Sequence, residues 1–187
     1  MERMQSGDQI IRYDRGQTRM AYSAMRVGWA ERCGCSYCLN FAAQRATAYP
    51  ENFRLLLNQL GIDPEKEGEV YECGPDGQLR AYGGWFFFVG ELIEAGERMT
   101  DATPGFQYFF TDAKRLPSPQ VDFGKNVLAV EFTRRDVKSI LGATLAALLS
   151  CRALSSATTS RFIPALSECP AAREESPALR PNRSDLT

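Results

Sequence analysis

Trp85-Phe86-Phe87-Phe88-Val89-Gly90 is the stretch that decides the fold. Four aromatic residues and a β-branched one in succession suit a pleated backbone and leave no polar face for solvent. The run predicts a central strand packed on both faces. Just before it, the pair Gly83-Gly84 predicts a break or bend in the chain. Further upstream, Glu69–Cys73 and Gln78–Tyr82 flank Gly74-Pro75-Asp76-Gly77, whose turn residues predict a hairpin. Downstream, Phe106–Thr111 and Asn126–Phe132 read as two more strands, with Pro117, Pro119 and Gly124 marking the loop between them.

Two consecutive helices precede this sheet. Phe53, Leu56, Leu57 and Leu60 recur at i, i+3, i+4 and i+7, with Pro50 at the start and Gly61 at the end. Before them, Ser36 is a candidate N-cap for a helix of about ten to twelve residues. Cys38, Phe41, Ala42 and Ala46 give it an apolar stripe. Arg45 interrupts that stripe, so its far end is expected to meet solvent. At the amino terminus, Gln9–Tyr13 and Met20–Trp29 read as extended pieces around the turn-like Asp14-Arg15-Gly16. The expected class is α+β: a mainly antiparallel sheet of five to seven strands with two consecutive helices packed on it.

The chain has 187 residues, 44% hydrophobic and 24% charged, with a formal net charge of −1. That balance suits one globular domain and gives no basic field for nucleic acid. Residues 9–133 form the expected domain. Residues 134–187 form an expected tail, with Ile140–Leu154 as one short helix and Ser176–Thr187 disordered. No apolar run is long enough to cross a bilayer, and Met1–Gln17 carries no secretory pattern, so a cytosolic protein without membrane attachment is expected. Histidine is absent, which removes imidazole ligands and every His-based triad.

Chemistry concentrates in Cys33-Gly34-Cys35-Ser36-Tyr37-Cys38-Leu39-Asn40-Phe41, which holds three of the six cysteines. In a reducing compartment such a cluster points first to metal, redox work or packing. As a metal site, Cys33, Cys35 and Cys38 supply three thiolates and Cys73 is the candidate fourth, with zinc as the cofactor. The spacing is not the paired C-x-x-C of zinc ribbons. As a redox site, Cys35 attacks and Cys38 resolves, from a C-x-x-C at a helix start. The surrounding βαβ pattern of thioredoxin-like folds is missing. As packing, the cysteines are small apolar residues on a helix face.

Elsewhere, Tyr82 and Trp85 beside Gly83-Gly84 are candidates for a ligand or partner surface, although an aromatic strand is far more often core. Asp63, Glu65, Glu67 and Glu69 read as a solvated acidic connection, without calcium-loop spacing. Together these features suggest a non-catalytic binding or interaction module with a protein or small-molecule partner. A thiol-dependent redox enzyme is the alternative.

The words Cys33-Gly-Cys-Ser-Tyr-Cys-Leu-Asn-Phe41, Tyr49-Pro50, Leu60-Gly-Ile-Asp63, Glu69-Val-Tyr71 and Tyr82-Gly-Gly-Trp-Phe-Phe-Phe-Val-Gly90 resemble a family of small uncharacterised bacterial proteins. The resemblance covers roughly residues 9–133 and transfers no activity. It implies that the domain ends soon after Val130-Glu131-Phe132.

Overall fold

The computed structural model describes residues 1–76 and 79–140. Its strands are β1 (Glu2–Ser6), β2 (Gln9–Tyr13), β3 (Glu69–Asp76), β4 (Leu79–Glu94), β5 (Thr100–Thr103), β6 (Phe106–Asp112) and β7 (Val127–Lys138). They form one seven-stranded antiparallel sheet in the order β1-β2-β4-β7-β6-β5, with β3 also paired to β4. The helices are α1 (Arg15–Ala24), α2 (Trp29–Cys33), α3 (Ser36–Ala42), α4 (Arg45–Ala48) and α5 (Glu51–Leu60), with a 3₁₀ turn at Ala113–Arg115. The α+β class is therefore observed, with more and shorter helices than expected.

β4 carries the aromatic run and does not break at Gly83-Gly84. Those glycines make room for rings instead. A Cβ on Gly84 would stand 2.8 Å from the Phe132 ring and 2.5 Å from the Glu69 carbonyl; one on Gly83 would stand 2.7 Å from the Tyr71 ring. In the pairings with β3 and β7 the register irregularities fall earlier, between Arg80 and Tyr82 and between Glu72 and Gly74. Along one face of β4, Phe86 meets Tyr49, Phe53 and Phe132, while Phe88 meets Phe110. Phe53 and Phe106 approach to 4.7 Å between ring centroids, and Phe106 stacks on Phe132. Such pairs add about 0.5–1.5 kcal/mol each beyond the area they bury. On the other face, Phe123 and Tyr22 cover Phe87, and Tyr71 lies beside Trp85.

α5 follows its sequence signals: Phe53, Leu56, Leu57 and Leu60 are buried and Gly61 closes it in the left-handed region at φ 81°. Pro50 is the cap rather than the first helical residue. The expected strand over Met20–Trp29 is instead α1 followed by a turn into α2. The helix wins because the Asp14 carboxylate accepts from the Gln17 backbone N–H at 2.9 Å, and Thr18, Ala21, Tyr22 and Met25 bury at helical spacing. The expected long helix from Ser36 is divided into α3 and α4 at Ala43-Gln44. Its N-cap is Cys35, not Ser36.

The sheet extends past both expected ends. β1 is a polar edge strand whose residues pair with β2 from Glu2↔Tyr13 to Ser6↔Gln9. β7 runs on to Lys138, and Val137 is buried against the core. The Lys138 carbonyl accepts from Asn40 Nδ2 at 3.1 Å and Gln44 Nε2 at 2.7 Å, and Ile140 N–H donates to Asn40 Oδ1 at 2.8 Å. The rest of the expected helix over 140–154, and the segment Ser176–Thr187, lie outside the described residues.

Ending the chain after Phe132 removes the pairing of β7 with Leu79–Gly83, the buried Val137 and the Asn40 contacts. The loss is expected to exceed about 3 kcal/mol from one buried Val side chain and several hydrogen bonds. Urea unfolding should show a much lower midpoint for residues 1–132 than for residues 1–140. Equal midpoints would show that these contacts contribute little.

Candidate metal centre

The turn between α2 and α3 is built by glycine. Gly34 takes φ 67°, ψ 3°, the left-handed conformation that ends a helix, and its N–H donates to the Ala30 carbonyl at 3.1 Å. Cys35 follows in extended conformation and starts α3. Cys33 closes α2, Cys35 caps α3 and Cys38 lies in its first turn. Their sulfurs all lie within 4.8 Å of one another. A tetrahedral centre with Zn–S bonds near 2.3 Å would set its sulfurs about 3.8 Å apart, so little closure is needed. This group can hold a metal ion.

Cys38 is the inner member. It is 1% exposed, and its Sγ donates to the Val70 carbonyl on β3 at 3.6 Å. Burial, followed by the neighbouring Cys35 and Cys33, pushes its thiol far above the ordinary range. It is therefore a protonated thiol without metal, and a metal would have to displace that proton. Cys33 and Cys35 are half-buried. Cys73 is exposed and does not belong to the group that shares the 4.8 Å spacing. Val70 is where β3 meets Cys38. Cys73 lies three residues further on, about 10 Å along an extended strand.

A charged network that the sequence did not announce holds this segment in place. Glu67, expected in a solvated acidic loop, has a side chain with no exposure. Arg45, expected to meet solvent, spans it: Nε donates to Oε1 at 2.5 Å and Nη2 to Oε2 at 2.8 Å. The Tyr49 hydroxyl adds a third bond to Glu67 at 3.0 Å. The same guanidinium reaches Glu31 on α2 through Nη1 at 2.5 Å and Nη2 at 2.7 Å. Beneath this, Trp29 N–H donates to the Glu67 carbonyl, and the chain passes so close that a Cβ on Gly28 would stand 2.4 Å from the Glu65 carbonyl. The one visible sign of this in the sequence was an arginine in line with Cys38, Phe41 and Ala42 on the apolar face of its helix.

Tyr82 and Trp85 are core residues here, not a docking surface. Tyr82 has no exposure; its hydroxyl accepts from Asn40 Nδ2 at 3.0 Å and donates to the Tyr37 carbonyl at 3.1 Å. It therefore fixes α3 to the sheet. Trp85 is 8% exposed and stands between Glu69 and Glu131 in a cross-strand row. Burial pushes both carboxyls above their ordinary range, with Arg32 near Glu69, and Thr111 and Arg115 near Glu131, partly offsetting it.

Arg45→Met should cost about 3–5 kcal/mol, because it leaves Glu67 buried without its cation. The double change Arg45→Met, Glu67→Leu should cost clearly less. Denaturant unfolding of both variants checks this; additive losses would mean that the two side chains are not coupled.

The Glu131 carboxyl is harder to ionise in the folded chain than in the unfolded one. Its contribution is thus most favourable at low pH and is lost as pH rises from the unfolded value, about 4.3, through the raised folded value. Glu131→Gln should raise the melting temperature by a few degrees at pH 7.5 and leave it unchanged at pH 4. A gain of the same size at both pH values would assign the effect to packing.

No helix among the described residues is long and apolar enough to cross a membrane. No family model, curated protein or solved structure matches the chain, so the functional reading rests on this geometry.

Proposed function

We propose that the chain is a cytosolic, non-catalytic binding module in which Cys33, Cys35 and Cys38 hold a structural zinc ion. The observation that carries the reading is the convergence of three sulfurs within 4.8 Å at one helix junction. Thiolates are soft donors and favour zinc or another thiophilic ion over magnesium or calcium. The ion would join the end of α2 to the start of α3. Cys38 would carry that link inward toward β3.

The redox alternative asks Cys38 to act as the resolving thiol. Both roles require Cys38 to lose its proton, which burial opposes, so its protonation favours neither. What favours metal is that three sulfurs, not two, converge. Cys73, exposed and outside the group, has no place in the proposed inner set. The fourth position of a tetrahedral site would therefore fall to water or to a ligand from outside the three cysteines.

Metal content on protein purified without added zinc, with thiol counts before and after a chelator, tests the reading. About one zinc per chain is expected, with the chelator releasing reactive thiols. Cys33→Ser and Cys38→Ser should each lower zinc affinity by more than tenfold, and Cys73→Ser should leave it unchanged. A chain that takes up no zinc even when it is supplied, and instead forms a rapid reversible Cys35–Cys38 disulfide, would replace this reading with the redox enzyme.

A further inference from the structure

The three thiols lie on one stretch of chain, and both ends of that stretch meet at one side chain. Glu31 stands two residues before Cys33, and Arg45 seven residues after Cys38. The guanidinium joins the two ends with two hydrogen bonds to Glu31. It then anchors both on Glu67 with two more. Glu67 is itself held by Tyr49, and its backbone carbonyl by Trp29 at the start of α2. The cysteine segment is therefore a closed loop with its clasp on a buried, hydrogen-bonded carboxylate.

We infer that Arg45, acting through Glu31 and Glu67, is the positioning residue that sets the sulfur geometry and hence the metal affinity of the site. The inference rests on the reading that Cys33, Cys35 and Cys38 take a metal. Its physical basis is preorganisation. Three ligands on a loose 14-position loop must be ordered when the ion binds, whereas ligands on a clasped loop are ordered already. Partners that hydrogen-bond a metal ligand directly account for about 10–100-fold in affinity, and a clasp one step further out is expected at the low end of that range. Arginine is required at this place because one planar fork serves two carboxylates at once. Lysine, a point donor on a flexible stem, cannot span them.

Other features of the fold offer no comparable ligand chemistry. The half-buried carboxylates beside Trp85 form an acidic row whose neighbouring indole nitrogen is shielded from any ligand. A cavity of about 580 Å³ between β4 and the 3₁₀ turn is lined by Lys114 and Lys125 but also by Glu91 and Asp112, with no consistent charge to select a ligand.

The test measures zinc affinity by competition with a chromophoric chelator, alongside thermal unfolding of the metal-free chain. Arg45→Met is unsuitable, since it strands Glu67. Glu31→Gln removes one arm of the clasp at a side chain that is 40% exposed, and Arg45→Lys keeps the charge but not the fork. Both should weaken zinc binding about tenfold or more while keeping one ion per chain, and Glu31→Gln should barely move the metal-free melting temperature. Glu51→Gln breaks the exposed ion pair between Glu51 and Arg54 on α5 and should leave zinc affinity as it was. Unchanged affinity in folded Glu31→Gln and Arg45→Lys chains overturns the inference while the zinc reading stands. An equal loss in Glu51→Gln overturns it too, by showing a general effect of surface charge. A wild-type chain without zinc affinity removes the reading and the inference together.

Discussion

Most of this structure depends on how one strand satisfies its backbone. β4 pairs with β7 along one edge, over Leu79–Val89. Its other edge is shared: β3 pairs with Leu79–Trp85 and β2 with Gly90–Glu94. Between them the Phe87 carbonyl and both backbone groups of Val89 point at no strand. Buried in an aromatic core, they need partners. α1 supplies them. The Tyr22 hydroxyl donates to the Phe87 carbonyl at 2.9 Å, the Thr18 hydroxyl accepts from Val89 N–H at 3.0 Å, and Asp14 N–H donates to the Val89 carbonyl at 2.9 Å. A helix thus stands in for a missing strand segment through two hydroxyls and one cap.

That arrangement positions the thiols. α1 sits in the gap, so the chain must leave it at Met25, turn through Gly28 past Glu65 and Glu67, and enter α2 beside the start of β3. α3 then lays Phe41 among Tyr49, Tyr82 and Phe132 and brings Cys38 to the Val70 carbonyl. Asn40 fastens the same helix to Tyr82 and to the end of β7. The cysteine junction is the short exposed step between two segments that are each held elsewhere.

How much of this was legible depends on whether the deciding partner was near in sequence. β4 and α5 were readable because their own residues carry the pattern: an unbroken aromatic run, and four apolar residues at helical spacing closed by glycine. The sulfur cluster was readable because a six-residue window cannot scatter three cysteines far. α1 was missed because Asp14-Arg15-Gly16 resembles a turn, while the bonds that hold the helix come from Phe87 and Val89. β1 is an edge strand without apolar alternation, so nothing local marks it. Glu67 read as solvated because its cation is 22 positions away and its burial is a property of the fold. Cys73 read as a fourth ligand because strand register cannot be counted before the sheet is known.

The core is not one that needs a metal to make up for thin packing. Phe41, Tyr49, Phe53, Tyr82, Phe86, Phe106 and Phe132 are all nearly without exposure and meet ring against ring. α3 is therefore held by its own aromatic and amide contacts, and Cys38 has a carbonyl acceptor of its own. This differs from small zinc domains, whose metal affinity is largely the free energy of folding around the ion. Here the aromatic core would hold the fold whether or not an ion is bound. An ion would add to a fold already made, and its affinity would reflect how well the loop presents its sulfurs and how readily Cys38 gives up its proton. In such a protein the residues that would matter to a metal are those that shape the loop: Asn40 and Phe41 on α3, and the Arg45 guanidinium between Glu31 and Glu67.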